Sequence, residues 1–250
     1  MSEGVQEENG PHFRGPFLDE FHLGILIPSG STWETGFALS LVQVVEALHA
    51  PRIARNQSYY IRNMQTSLLP YSREDLVWSA MHAYPQTTHF LFLDSDMTFP
   101  ADTVHWLAYR RKPIVISNYT RRTVPAVPIA RHLDGRFVVT DEDSVGLERV
   151  RYGGLGVALF ERAVFDQVPR PWFGLRWRED GATPGHPKMD GEDTWLFDKC
   201  MEYGHEVLVD HDLSQHIGHI GKFEYTTAMI DRRDFEEEEA ANVARIAGRA

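Results

Sequence analysis

Two aspartates one residue apart, Asp94 and Asp96, follow directly on the apolar run HFLFL (89–93). Residues i and i+2 of a strand share a face, so a strand that persists to residue 96 would aim both carboxylates at one point. Like charges at the end of a buried strand are costly unless a cation or hydrogen-bond donors compensate them. Such oxygen ligands suit Mg²⁺ or Mn²⁺, ions commonly shared between one or two carboxylates and the phosphates of a substrate. The competing reading is a turn or helix cap supported by Thr98 and Pro100 just beyond.

A second acidic pair, Glu192 and Asp193 in DGEDTW (190–195), stands where a helix is expected to begin. That position stabilises negative charge and can orient a carboxylate as a base, or it can be plain capping. Two histidines, His216 and His219 in SQHIGHIG (214–221), supply imidazoles that suit Mn²⁺. Trp172, Phe173 and Trp177 sit in a loop (169–191) rich in Pro and Gly. Their rings either stack on a ligand as part of a lid or pin the loop to the body. Arg121 and Arg122 are candidates for phosphate contacts, or for ion pairs at the surface.

These groups need a scaffold, and the periodicity supplies one. Strands are expected at 22–30, 58–64, 89–93, 113–118, near 127–131, within the GGLGVALF stretch and at 206–210. Helices are expected at 36–48, from Ser72 as a cap, from Pro100 to about Arg111, after GGLGVALF, and at 193–203, closed by Gly204. Alternation of this kind predicts an open, partly parallel α/β sheet with helices on both faces, whose ligands bind at the carboxyl ends of the strands.

Composition narrows the classes further. The single cysteine, Cys200, excludes an internal disulfide and a cysteine-based zinc site, and is expected as a buried thiol on a helix. The polar, acidic first twenty residues lack a secretory core, and no apolar run reaches the roughly 18 residues of a membrane span. The expectation is a cytoplasmic protein without a membrane segment. A net charge of -11 argues against a uniformly basic surface. The charge is uneven, however: residues 105–180 hold 13 Lys/Arg against 9 Asp/Glu, counted along the sequence, so a local basic face for a polyanion stays open.

Taken in order, a first strand, a D-x-D closing a central strand, the segment GGLGVALFERAVF, a G-E-D at a helix start and a late H-x-G resemble GT-A-fold glycosyltransferases. The likeness is to the family 2-like, compact single-domain type found in bacteria and bacteriophages, and spans about residues 21–222. It implies a Rossmann-like three-layer α/β/α sandwich with a mixed, mostly parallel central sheet. Residues 1–20 would be a flexible segment, 21–222 one catalytic domain and 223–250 a helical, acidic tail. It also implies Mn²⁺ or Mg²⁺ as cofactor and a nucleotide-diphosphate sugar as donor, UDP favoured over GDP. Asp96 and His219 would hold the metal, with Asp94 on the metal through water or on the ribose. Ser95 would join the donor contacts, Pro28, Ser29 and Gly30 would border the base, and Arg73 would lie near the donor. Asp193, or else Glu192, would act beneath the acceptor hydroxyl. A hydroxymethylated DNA base is one acceptor consistent with the basic middle segment, and the compartment would then be a host cytoplasm.

The spelling DSDMT (94–98) also resembles the D-x-D-x-T opening of haloacid-dehalogenase-type phosphatases, with Asp94 as nucleophile and Asp96 as acid/base. There, however, the motif lies on the first strand, whereas two strand candidates precede it here. A sugar- or nucleotide-binding domain without turnover is the third class.

Overall fold

The structure, a computed structural model, describes residues 18–49, 53–179, 185 and 187–247. The flexible segment expected at 1–20 therefore lies outside the described residues up to 17, and residues 18–20 already belong to a strand. The strands are β1 (Leu18–Ser29), β2 (Ala54–Gln65), β3 (His89–Leu93), β4 (Met97–Thr98), β5 (Ile114–Ile116), β6 (Leu147–Val150), β7 (Val157–Glu161), β8 (Arg176–Glu179), β9 (Pro187–Asp190), β10 (Val207–Asp210), β11 (Gly218–Ile220) and β12 (Glu224–Thr226). The helices are α1 (Thr35–Ala47), α2 (Leu69–Ala83), α3 (Thr103–Tyr109), α4 (Arg162–Gln167), α5 (Glu192–Glu202), α6 (His211–Ser214) and α7 (Glu236–Ala247).

Seven strands form the main sheet in the order β2-β1-β3-β7-β5-β10-β6. β1 runs parallel to β2 and β3, and β5 parallel to β10, while β7 is antiparallel to both of its neighbours and β6 to β10. The expected mixed, mostly parallel α/β sheet is thus present. Its two faces follow from strict alternation along the buried strands. Phe90 and Phe92 face α2, α4 and α5 with Leu76, Phe165 and Phe197, whereas Leu91 and Leu93 face α1 and α3 with Phe37, Leu41, Val44 and Leu107. In α1 the spacing of Phe37, Leu41 and Val44 gives one buried stripe. Cys200 is buried in the first of these cores, and burial pushes its thiol up to about 12, so it packs as a small apolar group.

Several expectations shift. α2 begins at Leu69 because Pro70 fits a first helical turn, and Ser72, expected as its cap, is buried inside it. The strand expected at 127–131 is reduced to isolated bridges joining Thr120 to Pro128 and Arg131 to Phe137 and Tyr152. Pro125 and Pro128 have no amide hydrogen with which to extend a ladder. The loop 169–191 contains the hairpin β8-β9. A small sheet, β12-β11-β4, crosses the carboxyl end of β3. The segment from β12 to α7 is attached to the body: Phe235 packs on Phe137 and Val127, and Glu239 accepts the Phe137 amide at 2.7 Å.

Candidate functional site

β3 stops at Leu93, and residues 94–96 form a turn rather than more strand. The Asp94 amide still bonds the Gly156 carbonyl of the β7 lead-in at 2.9 Å, but the Met97 amide then closes the turn on the Asp94 carbonyl at 3.1 Å. The two carboxylates consequently take different partners. Both oxygens of Asp94 accept from Nη2 of Arg73, at 2.9 and 3.2 Å. Asp96 instead meets Arg122 Nη1 at 2.7 Å and lies 3.6 Å from His219 Nε2. The strand expected to carry both Asp94 and Asp96 ends before them, and each carboxylate has its own cationic partner.

Arg73 is almost wholly buried, 2 % exposed, and is the hub of the acidic group. Besides Asp94 it faces Glu192 of α5, Nε to Oε1 at 3.4 Å. Burial works to lower its pKa, but Asp94 and Glu192 outweigh burial and raise it. Burial raises the Asp94 carboxyl, against the pull of Arg73 and with repulsion from Asp96 and Glu192. For Asp96 burial also works upward, yet His219 and Arg122 prevail and hold the carboxyl below its ordinary range. Asp193, at the first turn of α5, is pushed up to about 6 by burial and by Glu192, partly offset by the Thr194 amide it accepts at 2.6 Å and by Arg73. A carboxylate so tuned is ionised at neutral pH and still basic enough to take a proton.

His219 reaches this end through pairing: β11 opposes β4 with His219 across from Met97, and the Ile220 amide bonds the Asp96 carbonyl at 2.7 Å. Nδ1 of His219 lies 2.8 Å from the Thr120 carbonyl, which can only accept, so Nδ1 carries the proton. Nε2 of the same ring faces the Asp96 carboxylate at 3.6 Å. A carboxylate oxygen and an imidazole nitrogen facing each other are a donor pair that suits Mn²⁺ or Mg²⁺. His216 is exposed and its ring packs against Trp106, away from this pair. Among the described residues no three His, Cys, Asp or Glu side chains are arranged to hold an ion. Asp94 is held by Arg73 and Asp96 by Arg122, with His219 Nε2 3.6 Å from Asp96.

Pro28 and Ser29 are buried at the end of β1 and Gly30 is exposed just beyond. The parallel register of Leu26 with Phe92 brings Pro28 level with Asp94, so the three border the same rim. Asn63 Nδ2 holds the Ser29 hydroxyl at 2.8 Å, and the Ser95 carbonyl accepts the Glu34 amide at 3.0 Å, which ties the turn to the start of α1.

Tyr119, at the end of β5, was not singled out by its sequence context, yet it is central. Its hydroxyl accepts the Gly156 amide at 3.0 Å and its ring meets that of His219 edge to face at 5.3 Å. The signal was the glycine run 153–156: a Cβ on Gly154 would lie 2.0 Å from the Tyr119 hydroxyl, so only glycine lets the backbone approach so closely. The aromatic loop is pinned rather than mobile at Trp172 and Phe173, both buried, whose amides donate to Glu74 at 2.7 and 3.1 Å. Trp177 is 66 % exposed. Arg121 is paired with Glu238 and Arg122 with Asp96, which favours the ion-pair reading of both. An aspartyl-phosphate route through Asp94 meets an obstacle, since both oxygens of the would-be nucleophile are engaged by Arg73.

Among the described residues no helix is long and apolar enough to cross a membrane. No family model and no curated protein matches the chain. Among solved structures, the crystal structure of A197 from STIV is similar with a TM-score of 0.51 at 18 % identity, over 80 % of this chain and 86 % of that one. The inositol-1-phosphate CTP transferase from T. maritima is similar with a TM-score of 0.44 at 11 % identity, over 91 % of this chain and 98 % of that one, a likeness too loose to argue from. What the first comparison establishes is a shared fold.

Proposed function

We propose that the protein is a GT-A-type glycosyltransferase that moves a sugar from a nucleotide-diphosphate donor, a UDP-sugar in the first instance, to an acceptor hydroxyl. The observation that carries this reading is the pairing of β4 with β11, which sets Asp96 3.6 Å from Nε2 of His219. The same strand-end rim also carries Arg73, Glu192 and Asp193. When bound there by Asp96 and His219, a divalent ion would neutralise the charge growing on the departing diphosphate.

The remaining chemistry belongs to the chain. Arg73 fixes Asp94 and Glu192 in place, so that the acidic wall keeps one geometry despite its mutual repulsion. Arg122 neutralises Asp96 at 2.7 Å and is placed to exchange that carboxylate for a donor phosphate. Pro28, Ser29 and Gly30 form the rim against which a nucleobase would lie. Asp193 acts as the general base on the acceptor hydroxyl, a role generally worth roughly 10²–10⁴-fold in rate. Its titration at about 6 sets the acid limb: activity is expected to fall as the pH drops below about 6, where the base becomes protonated.

The test is release of nucleoside diphosphate from a panel of UDP- and GDP-sugars with Mn²⁺, run beside thermal unfolding with the same ligands. Asp96→Ala is expected to lose both turnover and the Mn²⁺-dependent rise in Tm. Asp193→Asn is expected to keep the donor-induced rise while transfer drops at least a hundredfold. A panel in which no sugar nucleotide raises Tm or is cleaved would sink the assignment.

A further inference from the structure

Beside Asp193 a cavity of about 310 Å³ opens between the β8-β9 hairpin, the start of α5 and helix α7. That size is at the small end of ligand pockets. Five cationic side chains line it: Arg121, Arg131, Arg178, Lys188 and Arg245. Three carboxylates line it as well: Asp190, Asp193 and Glu238. Five against three leaves a surplus of two positive charges among the described residues.

The pairing shows where the surplus resides. Asp190 is taken by Arg178, at 2.5 Å, and by Arg176. Glu238 lies in the fork of Arg121, with Nη1 and Nη2 at 3.1 and 2.9 Å, and also accepts from Arg131 at 3.0 Å. Lys188 and Arg245 have no carboxylate within ion-pair distance among the described residues. Three further donors in residues lining the cavity, Arg131 Nε, Arg178 Nη1 and Asn242 Nδ2, are buried behind the cavity wall, with the Arg131 guanidinium stacked on Phe137, and meet no acceptor among the described residues. Such donors are costly to leave unmade, and the charged ones more so. Arg131 registers this, since burial brings its guanidinium down to about 10 in spite of Glu238.

We propose that this cavity is a subsite for a phosphoryl group carried by the acceptor, and that Glu238 of α7 is the chain's own carboxylate placeholder beside it. The inference rests on the glycosyl-transfer reading, because it places the anion next to the base that would activate the acceptor hydroxyl. A phosphate monoester carries about -1.5 to -2 at neutral pH, which matches the surplus, and its oxygens diverge enough to meet donors arriving from the hairpin, the 121–131 segment and α7 together. The grip on Glu238 demonstrates that Arg121 and Arg131 already present a fork that fits an oxyanion. A lone carboxylate carries one charge and lies in one plane, so it would leave part of this donor set unsatisfied.

The experiment titrates inorganic phosphate against the full-length protein at constant ionic strength, by calorimetry and thermal unfolding, with acetate as a parallel series. Saturable phosphate binding is expected, at least threefold tighter in Glu238→Gln and at least tenfold weaker in Lys188→Gln/Arg245→Gln, whose changed side chains lie at the cavity wall rather than in the core. It should persist in Asp96→Ala, which separates it from diphosphate binding at the donor side. Acetate is expected to bind more weakly than phosphate in every variant. Absence of saturable phosphate binding, equal affinity in all variants, loss in Asp96→Ala, or a preference for acetate would each overturn the proposal. The readout is binding alone, so failure of the transferase reading would appear in the sugar-nucleotide panel and failure of this subsite in the phosphate titration.

Discussion

At the scale of single residues, Asp193 offers the sharpest link between environment and behaviour. Its carboxyl titrates at about 6 in the folded chain, against an ordinary value of 3.8. Between those values the folded state binds more protons than the unfolded one, so stability falls as pH rises through the window and remains lower above it. The difference corresponds to at most about 3 kcal/mol, less after allowing for the solvent contact this side chain retains. Asp193→Asn removes the titration while keeping an oxygen for the Thr194 amide. The variant is expected to exceed the parent in stability by about 1–3 kcal/mol at pH 7.5, with the gain vanishing near pH 4, by urea unfolding at both pH values. A gain independent of pH would mean that the carboxylate is not strained by its surroundings. Residue types were legible here, since D-x-D, G-E-D and H-x-G all mark side chains that meet at one rim. Partners were not: nothing local to Asp94 announces that Arg73, 21 positions earlier, will take both of its oxygens.

At the scale of elements, the glycine run before β7 decides how closely two parts of the site can approach. An alanine methyl at 154 would fall 2.0 Å from the Tyr119 hydroxyl and 2.5 Å from the ring carbon that bears it, in a fully packed setting. At 153 the nearest atom is the end of the Ile116 side chain, at 2.5 Å, which can rotate aside. Gly154→Ala is therefore expected to cost about 1–3 kcal/mol by overpacking, and Gly153→Ala less. Because the Tyr119 ring abuts His219, Gly154→Ala should also weaken Mn²⁺ binding several-fold, measured by calorimetry, whereas Gly153→Ala should leave it near the parent. Equal effects of the two would argue that Tyr119 does not position His219. The buried strands were legible because apolar runs of this length have few alternatives. Their directions were not, and VALF carries no mark that β7 will run antiparallel between β3 and β5. Nor could periodicity reveal β4, β11 and β12, which at two or three residues each are too short to show a period.

At the scale of the whole molecule, the charge asymmetry along the chain is resolved internally. Eleven arginines between Arg110 and Arg178 lie within ion-pair distance of a carboxylate. The basic middle segment, legible as an excess of cations, is therefore largely matched by carboxylates of the same chain, which sequence order could not disclose. Its longest-range match is with the acidic first turn of α7, where Glu238 joins Arg121 and Arg131. Arg121 and Glu238 are substantially exposed, 42 % and 37 % at the side chain, so this contact is screened by salt in a way the two buried cores are not. Beneath it, Phe235 supplies a small apolar anchor on Phe137. Raising NaCl from 50 to 500 mM is accordingly expected to speed amide exchange in α7 several-fold while leaving β1, β3 and β7 unchanged, because local opening of the helix need not disturb the sheet. Exchange that is indifferent to salt in α7 would mean that Phe235 and its neighbours, rather than the Glu238 fork, hold the helix over the cavity. The fork would then be too weak a competitor to keep a phosphoryl group out, and Glu238→Gln should leave phosphate affinity where it was.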